Sequence, residues 1–216
     1  MKNVRLIIIF LSISGMVNTF VSEAQSTPIR VISIPHPITF VLRSGIVHEE
    51  LNLQANQIKD IDKAVSNIEL SLWRLRDISY EKGGGTASLL IDQLQEKLVR
   101  ILSKWQLERV NQIVWQAQGI ESVLEPSVAA RLRLSSEQIG NIKALLRTLN
   151  NKLTSTDNNI EIIPKSRSEN HFRKSYAKGV KDVLSLLNKS QRETYVNLLG
   201  RPFDISHIRR IACKAP

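Results

Sequence analysis

Apolar residues recur at steps of three and four along most of the chain. Ile58, Ile61, Val65, Ile68, Leu72, Leu75 and Ile78 form one such stripe, the spacing of an amphipathic helix with one buried face. Leu90, Ile91, Leu94, Leu98 and Ile101 form a second, and Leu107, Val110, Ile113, Val114 and Ala117 a third. Glu125-Pro126 opens a short helix to Arg131, since proline is tolerated in a first turn. Ile139, Ile142, Leu145, Leu146, Leu149 and Leu153 make a long stripe, Phe172, Tyr176, Val180, Val183, Leu184 and Leu187 another, and Tyr195, Val196 and Leu199 the last. Gly83-Gly84-Gly85 predicts a helix stop, with Thr86 capping the helix that follows, and the polar stretch 154–169 predicts a loop. Residues 25–45 break the pattern: Pro28, Pro35 and Pro37 interleave with Ile29, Val31, Ile32, Ile34 and Phe40, which predicts an extended arm. The whole reads as an all-α protein of antiparallel helical hairpins behind an extended N-terminal arm.

The helix starts share one design, a leucine, then a cap position, two free positions and a glutamine. The boxes are Leu53-Gln54-Ala55-Asn56-Gln57, Leu102-Ser103-Lys104-Trp105-Gln106, Leu134-Ser135-Ser136-Glu137-Gln138 and Leu187-Asn188-Lys189-Ser190-Gln191. With Ser135 as the N-cap, its hydroxyl accepts from the Gln138 N–H, and the Gln138 side chain reaches back to the cap. Leu134 and Ile139 then occupy the positions of a hydrophobic staple. The second box repeats this with Ser103, Gln106, Leu102 and Leu107. The fourth keeps the cap but carries Arg192 at the staple position, and the first keeps the staple, Leu53 with Ile58, but has the weak cap Gln54.

Boxes one and three lie 81 residues apart, and boxes two and four 85 apart. The string Val47-x-x-x-Leu51-x-Leu53-x-x-x-Gln57-Ile58 recurs as Val128-x-x-x-Leu132-x-Leu134-x-x-x-Gln138-Ile139. This predicts a duplicated unit, a first helical repeat over 46–120 and a second over 121–203, followed by a basic tail at 204–216. Two units are too few for an open solenoid, which favours a closed pair of half-domains.

The first residues add an address. Lys2 and Arg5 precede the apolar run Leu6–Ile13, and Ser22-Glu23-Ala24 is a small-x-small cleavage site. A signal peptide over 1–24, cut after Ala24, follows, and with it a periplasmic or otherwise extracytoplasmic location. Its apolar stretch, broken by Ser12, Ser14 and Asn18, falls short of the ~20 residues of a membrane span. Cleavage would leave 192 residues, and the net charge of +10 would become +9 as Lys2, Arg5 and Glu23 are lost. Such a charge in an exported chain argues for attraction to acidic surfaces or clients rather than to nucleic acid. Cys213, the single cysteine, cannot form an internal disulfide, and either bridges two chains or remains a tail thiol.

Candidate chemistry is thin. His36, His48, His171 and His207 share no i,i+3 or i,i+4 spacing, and His48-Glu49-Glu50 stands at a predicted helix start, where acids favour the dipole. No zinc-protease, nucleophile-elbow or phosphate-loop motif is present. Trp73, Trp105 and Trp115 fall within helices, Trp105 and Trp115 as core or interface residues rather than a ligand cage. No catalytic, cofactor-binding or metal-ligating residue is assigned, and an enzyme is not expected.

The boxes Leu134-Ser135-x-x-Gln138 and Leu102-Ser103-x-x-Gln106 resemble the LTxxQ motif of the CpxP/Spy-like periplasmic stress proteins, with serine in place of threonine. Gln118-Gly119, Val123-Leu124, Leu132-x-Leu134 and Gly200-Arg201-Pro202-Phe203-Asp204 resemble exported bacterial proteins, mostly of unassigned function, that carry such boxes in tandem. The likeness spans residues 41–203. It implies a cradle-like helical body, boxes at helix bends, a homodimer in many members, and ATP-independent chaperone or envelope-stress activity on a basic, partly apolar face. The expectation is an exported non-enzymatic binding protein for unfolded clients or an envelope partner. The alternative is a structural envelope component with one fixed protein partner, and a metal-binding sensor is a third.

Overall fold

The computed structural model describes residues 36–75, 80–157 and 165–206. It is all-α, with no strand among the described residues. In chain order the helices are α1 (Ile38–Arg43), α2 (Gly45–Glu50), α3 (Ala55–Leu75), α4 (Tyr80–Ile101) and α5 (Lys104–Gln118). A 3-10 helix (Gly119–Leu124) follows, then α6 (Pro126–Leu132), α7 (Ser136–Asp157), α8 (Lys165–Ser185) and α9 (Lys189–Leu199). Among the described residues no helix is long and apolar enough to cross a membrane.

The chain divides into two compact units. The first contains α1 to α5, through Ala117, and is joined by the segment from Phe203; the second runs from Gln118 to Pro202. In the first, α3 packs on α4 and α1 on α3. Ile38, Leu42, Leu51, Ile61, Leu72, Leu94, Leu98 and Ile113 are fully buried there, each contributing roughly 1.5–3 kcal/mol relative to exposure. In the second, α7 packs on α8, and the 3-10 helix and α9 pack on α6, around Val123, Val128, Ile142, Val183, Leu187 and Tyr195. Gly179 on α8 permits the close approach of α7, because a Cβ there would stand 2.6 Å from Leu149 Cδ2.

Three sequence expectations give way. The arm over 25–45 is not extended in its described part: α1 occupies Ile38–Arg43 and α2 begins at Gly45. Pro37 sits at the N-cap of α1, where it costs no helical hydrogen bond, and Ile38, Val41 and Leu42 are buried. The triple glycine does not end a helix, since Gly83–Gly85 lie inside α4 and Thr86 is no cap. Each glycine costs about 1 kcal/mol against alanine, but the Ile91, Leu94 and Leu98 stripe packs against α3 and outweighs that local preference. The loop over 154–169 is shortened from both sides, α7 running to Asp157 and α8 starting at Lys165.

The unit boundary falls at Gln118 rather than after residue 120, because Gly119 adopts φ +65 and turns the chain into the 3-10 helix. The tail assigned to 204–216 begins as part of the first unit: Ile205 is buried, and the Phe203 N–H donates to Gln116 Oε1 at 2.8 Å. The signal peptide, Cys213 and His207 lie outside the described residues.

Candidate functional site

Each box glutamine does more than cap its own helix. In the second unit the Gln138 N–H donates to Ser135 Oγ at 3.1 Å, and the Ser135 N–H donates to Gln138 Oε1 at 3.1 Å. Asn188 and Gln191 form the same reciprocal box, both bonds 2.9 Å. The two amides then meet head to tail. Gln138 Nε2 donates to Gln191 Oε1 at 2.9 Å, and Gln191 Nε2 to Gln138 Oε1 at 3.1 Å. The remaining hydrogen of each amide goes to a helix-end carbonyl, Gln138 to Leu186 at 2.9 Å and Gln191 to Leu132 at 3.2 Å. All donor and acceptor positions of both amides are thereby used.

The first unit repeats the cross-helix pair and its carbonyl contacts, without a side-chain cap from Gln54. Gln57 Nε2 donates to Gln106 Oε1 at 3.0 Å and to the Ile101 carbonyl at 2.9 Å. Gln106 Nε2 donates to Gln57 Oε1 at 3.4 Å and to the Leu51 carbonyl at 3.1 Å. The Gln54 and Ser103 N–H groups donate to Gln57 and Gln106 Oε1 at 3.0 and 2.9 Å. The start of α3 therefore lies beside the end of α4, and the start of α7 beside the end of α8, so each pair runs antiparallel. The left-handed residues also correspond at the 81-residue spacing, Asn52 at φ 47 and Arg133 at φ 51.

These cross-helix pairs are not visible in capping logic, which treats Glu and Gln alike at this position. The signal was the choice of glutamine in all four boxes. Two facing glutamates would bring acceptors together and leave two helix-end carbonyls without donors. Arg192, out of place as a staple residue, donates instead to the Leu187 carbonyl and to the Leu184 carbonyl at 3.4 Å.

A buried polar cluster surrounds the 3-10 helix of the second unit. The Ser122 and Tyr195 hydroxyls are 2.8 Å apart, and both donate to the Gly119 carbonyl, at 2.7 and 3.1 Å. Burial pushes the Tyr195 phenol well above its ordinary range. Glu121 lies in the same helix with its Oε1 buried and without a hydrogen-bond partner among the described residues. Burial lifts its carboxyl to about 8, so it stays protonated at neutral pH. In the first unit, Arg109 pairs with Glu50 at 2.7 Å and lies over the Phe203 ring at 5.9 Å.

Each unit carries exposed apolar residues. On the first unit Leu70, Leu89, Val99 and Trp105 are each more than half exposed. On the second unit a groove of about 400 Å³ has Leu124, Ala129, Leu134 and Ile139 among its apolar lining, with Arg133 and Lys143 also bordering it. The staple pair Leu134 and Ile139 thus forms part of a surface feature as well as a helix start.

Of the histidines with described side chains, His36 Nδ1 accepts from the Ile38 N–H at 3.3 Å and His48 Nε2 bonds the Leu42 carbonyl at 2.6 Å, both local structural contacts. The side chain of His171 is outside the described set. Among the described residues no three His, Cys, Asp or Glu side chains gather as a metal site. Of the tryptophans, Trp115 is core and Trp105 is 54% exposed. Compared with protein-family models, curated proteins and solved structures, the chain matches none.

Proposed function

We propose that this chain is an exported helical binding protein, chaperone-like in action, that holds unfolded or partner proteins without chemistry of its own. The observation that carries the reading is the display of Leu70, Leu89, Val99 and Trp105, each more than half exposed, on a chain of net charge +10. Exposed large apolar side chains supply contact area that a bound chain can bury, and the positive charge draws acidic chains into range. The signal-like N-terminus and the resemblance to CpxP/Spy-like LTxxQ proteins support the same reading, with a periplasmic or otherwise extracytoplasmic location.

The test is suppression of aggregation of a model client by the mature chain. Suppression near stoichiometric amounts, weakening as salt shortens the screening length below about 10 Å, is the expected result. No suppression at several-fold excess overturns it. A single co-purifying partner with no general client effect would replace it with a structural role in a fixed envelope assembly. Leu70→Ser, Val99→Ser and Trp105→Ser together should weaken suppression, since polar substitutions at such exposed positions change stability by only about 0.5 kcal/mol each.

A further inference from the structure

We propose that the groove bounded by α6 and α7 in the second unit is a separate site, which binds a protein segment carrying a large apolar side chain close to a carboxylate. The groove, at about 400 Å³, falls in the range of pockets that enclose a ligand group. Leu124, Ala129, Leu134 and Ile139 are only partly covered, so a main chain can lie across them with one side chain inserted. The charged residues of the lining are Arg133 and Lys143, both cationic, with no carboxylate between them. Neither cation has an ion pair or hydrogen bond among the described residues, so a carboxylate on the occupant has two waiting partners.

Several of the residues that line the groove differ in character from their counterparts in the first unit. At the 81-residue spacing, Ala129 and Ala130 correspond to His48 and Glu49, Leu124 to Arg43, and Lys143 to Asp62. In the first unit His48 turns to the Leu42 carbonyl at 2.6 Å, and Arg43 pairs with Glu69 at 2.7 Å. Where the first unit has His48, Glu49 and Arg43, the second has two alanines and a leucine. Both acidic positions of the four are lost, Glu49 to an alanine and Asp62 to a lysine.

Arg133 strengthens the assignment. It occupies the left-handed region at φ 51 where the first unit has Asn52 at φ 47. Asparagine visits that region at little cost, whereas most other residues lose roughly 1–2 kcal/mol there. The second unit thus keeps a strained cation at the edge of an apolar groove, the kind of local exception that marks a functional position.

Fluorescence anisotropy of the mature chain with a labelled acidic peptide, Leu-Phe at its centre flanked by aspartates, tests the site. The expected dissociation constant is on the order of 10–100 μM, with the lysine-flanked counterpart binding about tenfold or more weakly. Ala130→Trp, at an exposed lining position, should weaken the acidic peptide about tenfold by obstructing the groove. Arg133→Asn should weaken it about threefold to tenfold while raising the melting temperature, because it removes the cation and relieves the backbone together. Client aggregation suppression should be unchanged in both variants, so loss of peptide binding and failure of the holding activity are read separately. No binding up to about 1 mM, equal affinity for the two peptides, or unaltered affinity in Arg133→Asn overturns the site. Displacement of the peptide by dodecanoate at equal strength would overturn the assignment to a protein segment.

Discussion

Glu121→Gln should flatten the pH dependence of stability. The carboxyl is lifted from 4.5 to about 8 in the fold by desolvation, and its Oε1 is buried without a hydrogen-bond partner among the described residues. Unfolding returns it to water and to its ordinary value. Between those two values the folded state holds a proton that the unfolded state releases, so stability falls as pH rises through this window and levels off above it. At ~1.4 kcal/mol per pH unit the full interval gives an upper bound of about 5 kcal/mol, and partial hydration of the ionised group brings the expected loss to about 2–4 kcal/mol. Urea unfolding of the wild type and Glu121→Gln at pH 5, 7 and 9 reads this directly. The amide brings its own burial cost, which shifts the variant curve by a constant amount, so the slope is the diagnostic quantity. Curves that run parallel within about 0.5 kcal/mol, a typical error between independent measurements, would refute a neutral buried Glu121.

Two further substitutions probe the second unit. Gln191→Glu keeps an acceptor for the Asn188 N–H but loses the donors to Gln138 Oε1 and the Leu132 carbonyl; a loss of about 2–4 kcal/mol is expected, shrinking at acid pH as the new carboxyl is protonated and regains one donor, and equal stability of variant and wild type from pH 4 to 8 would contradict it. Gly119→Ala puts a Cβ 2.5 Å from the Tyr176 hydroxyl at a φ of +65, so a loss of about 2–3 kcal/mol by thermal or urea unfolding is expected from strain and clash together, and a loss under about 0.5 kcal/mol would show the turn to be adaptable.

Much of the helical fold was legible because apolar spacing reports burial directly. Ile61, Val65, Ile68 and Leu72 form one buried face of α3, and Ile142, Leu146 and Leu149 one of α7. The boxes at Ser103, Ser135 and Asn188 start helices as their capping chemistry requires. What misled were residues whose local preference is set aside by long-range packing. The prolines before α1 suggested an arm, yet Ile38, Val41 and Leu42 bury themselves against the rest of the first unit. The triple glycine suggested a stop, yet α4 continues through it. The groove was harder still. Ala129, Ala130 and Arg133 look like ordinary helix-end residues until set beside His48, Glu49 and Asn52 in the first unit. Glu121 gave no signal at all, since a lone acid near a helix start normally reads as a solvated, dipole-favoured residue.

That the box glutamines close the fold rather than contact a ligand is tested most directly by a double-mutant cycle on Gln57 and Gln106. Their amides exchange two hydrogen bonds and each also holds the carbonyl at a neighbouring helix end. Gln57→Ala, Gln106→Ala and the double variant are compared by urea unfolding, with acidic-peptide binding measured on each variant while folded. The predicted result is a coupling energy of about 1–2 kcal/mol and unchanged peptide affinity. Additive losses, or a fall in peptide affinity in the folded single variants, would contradict it.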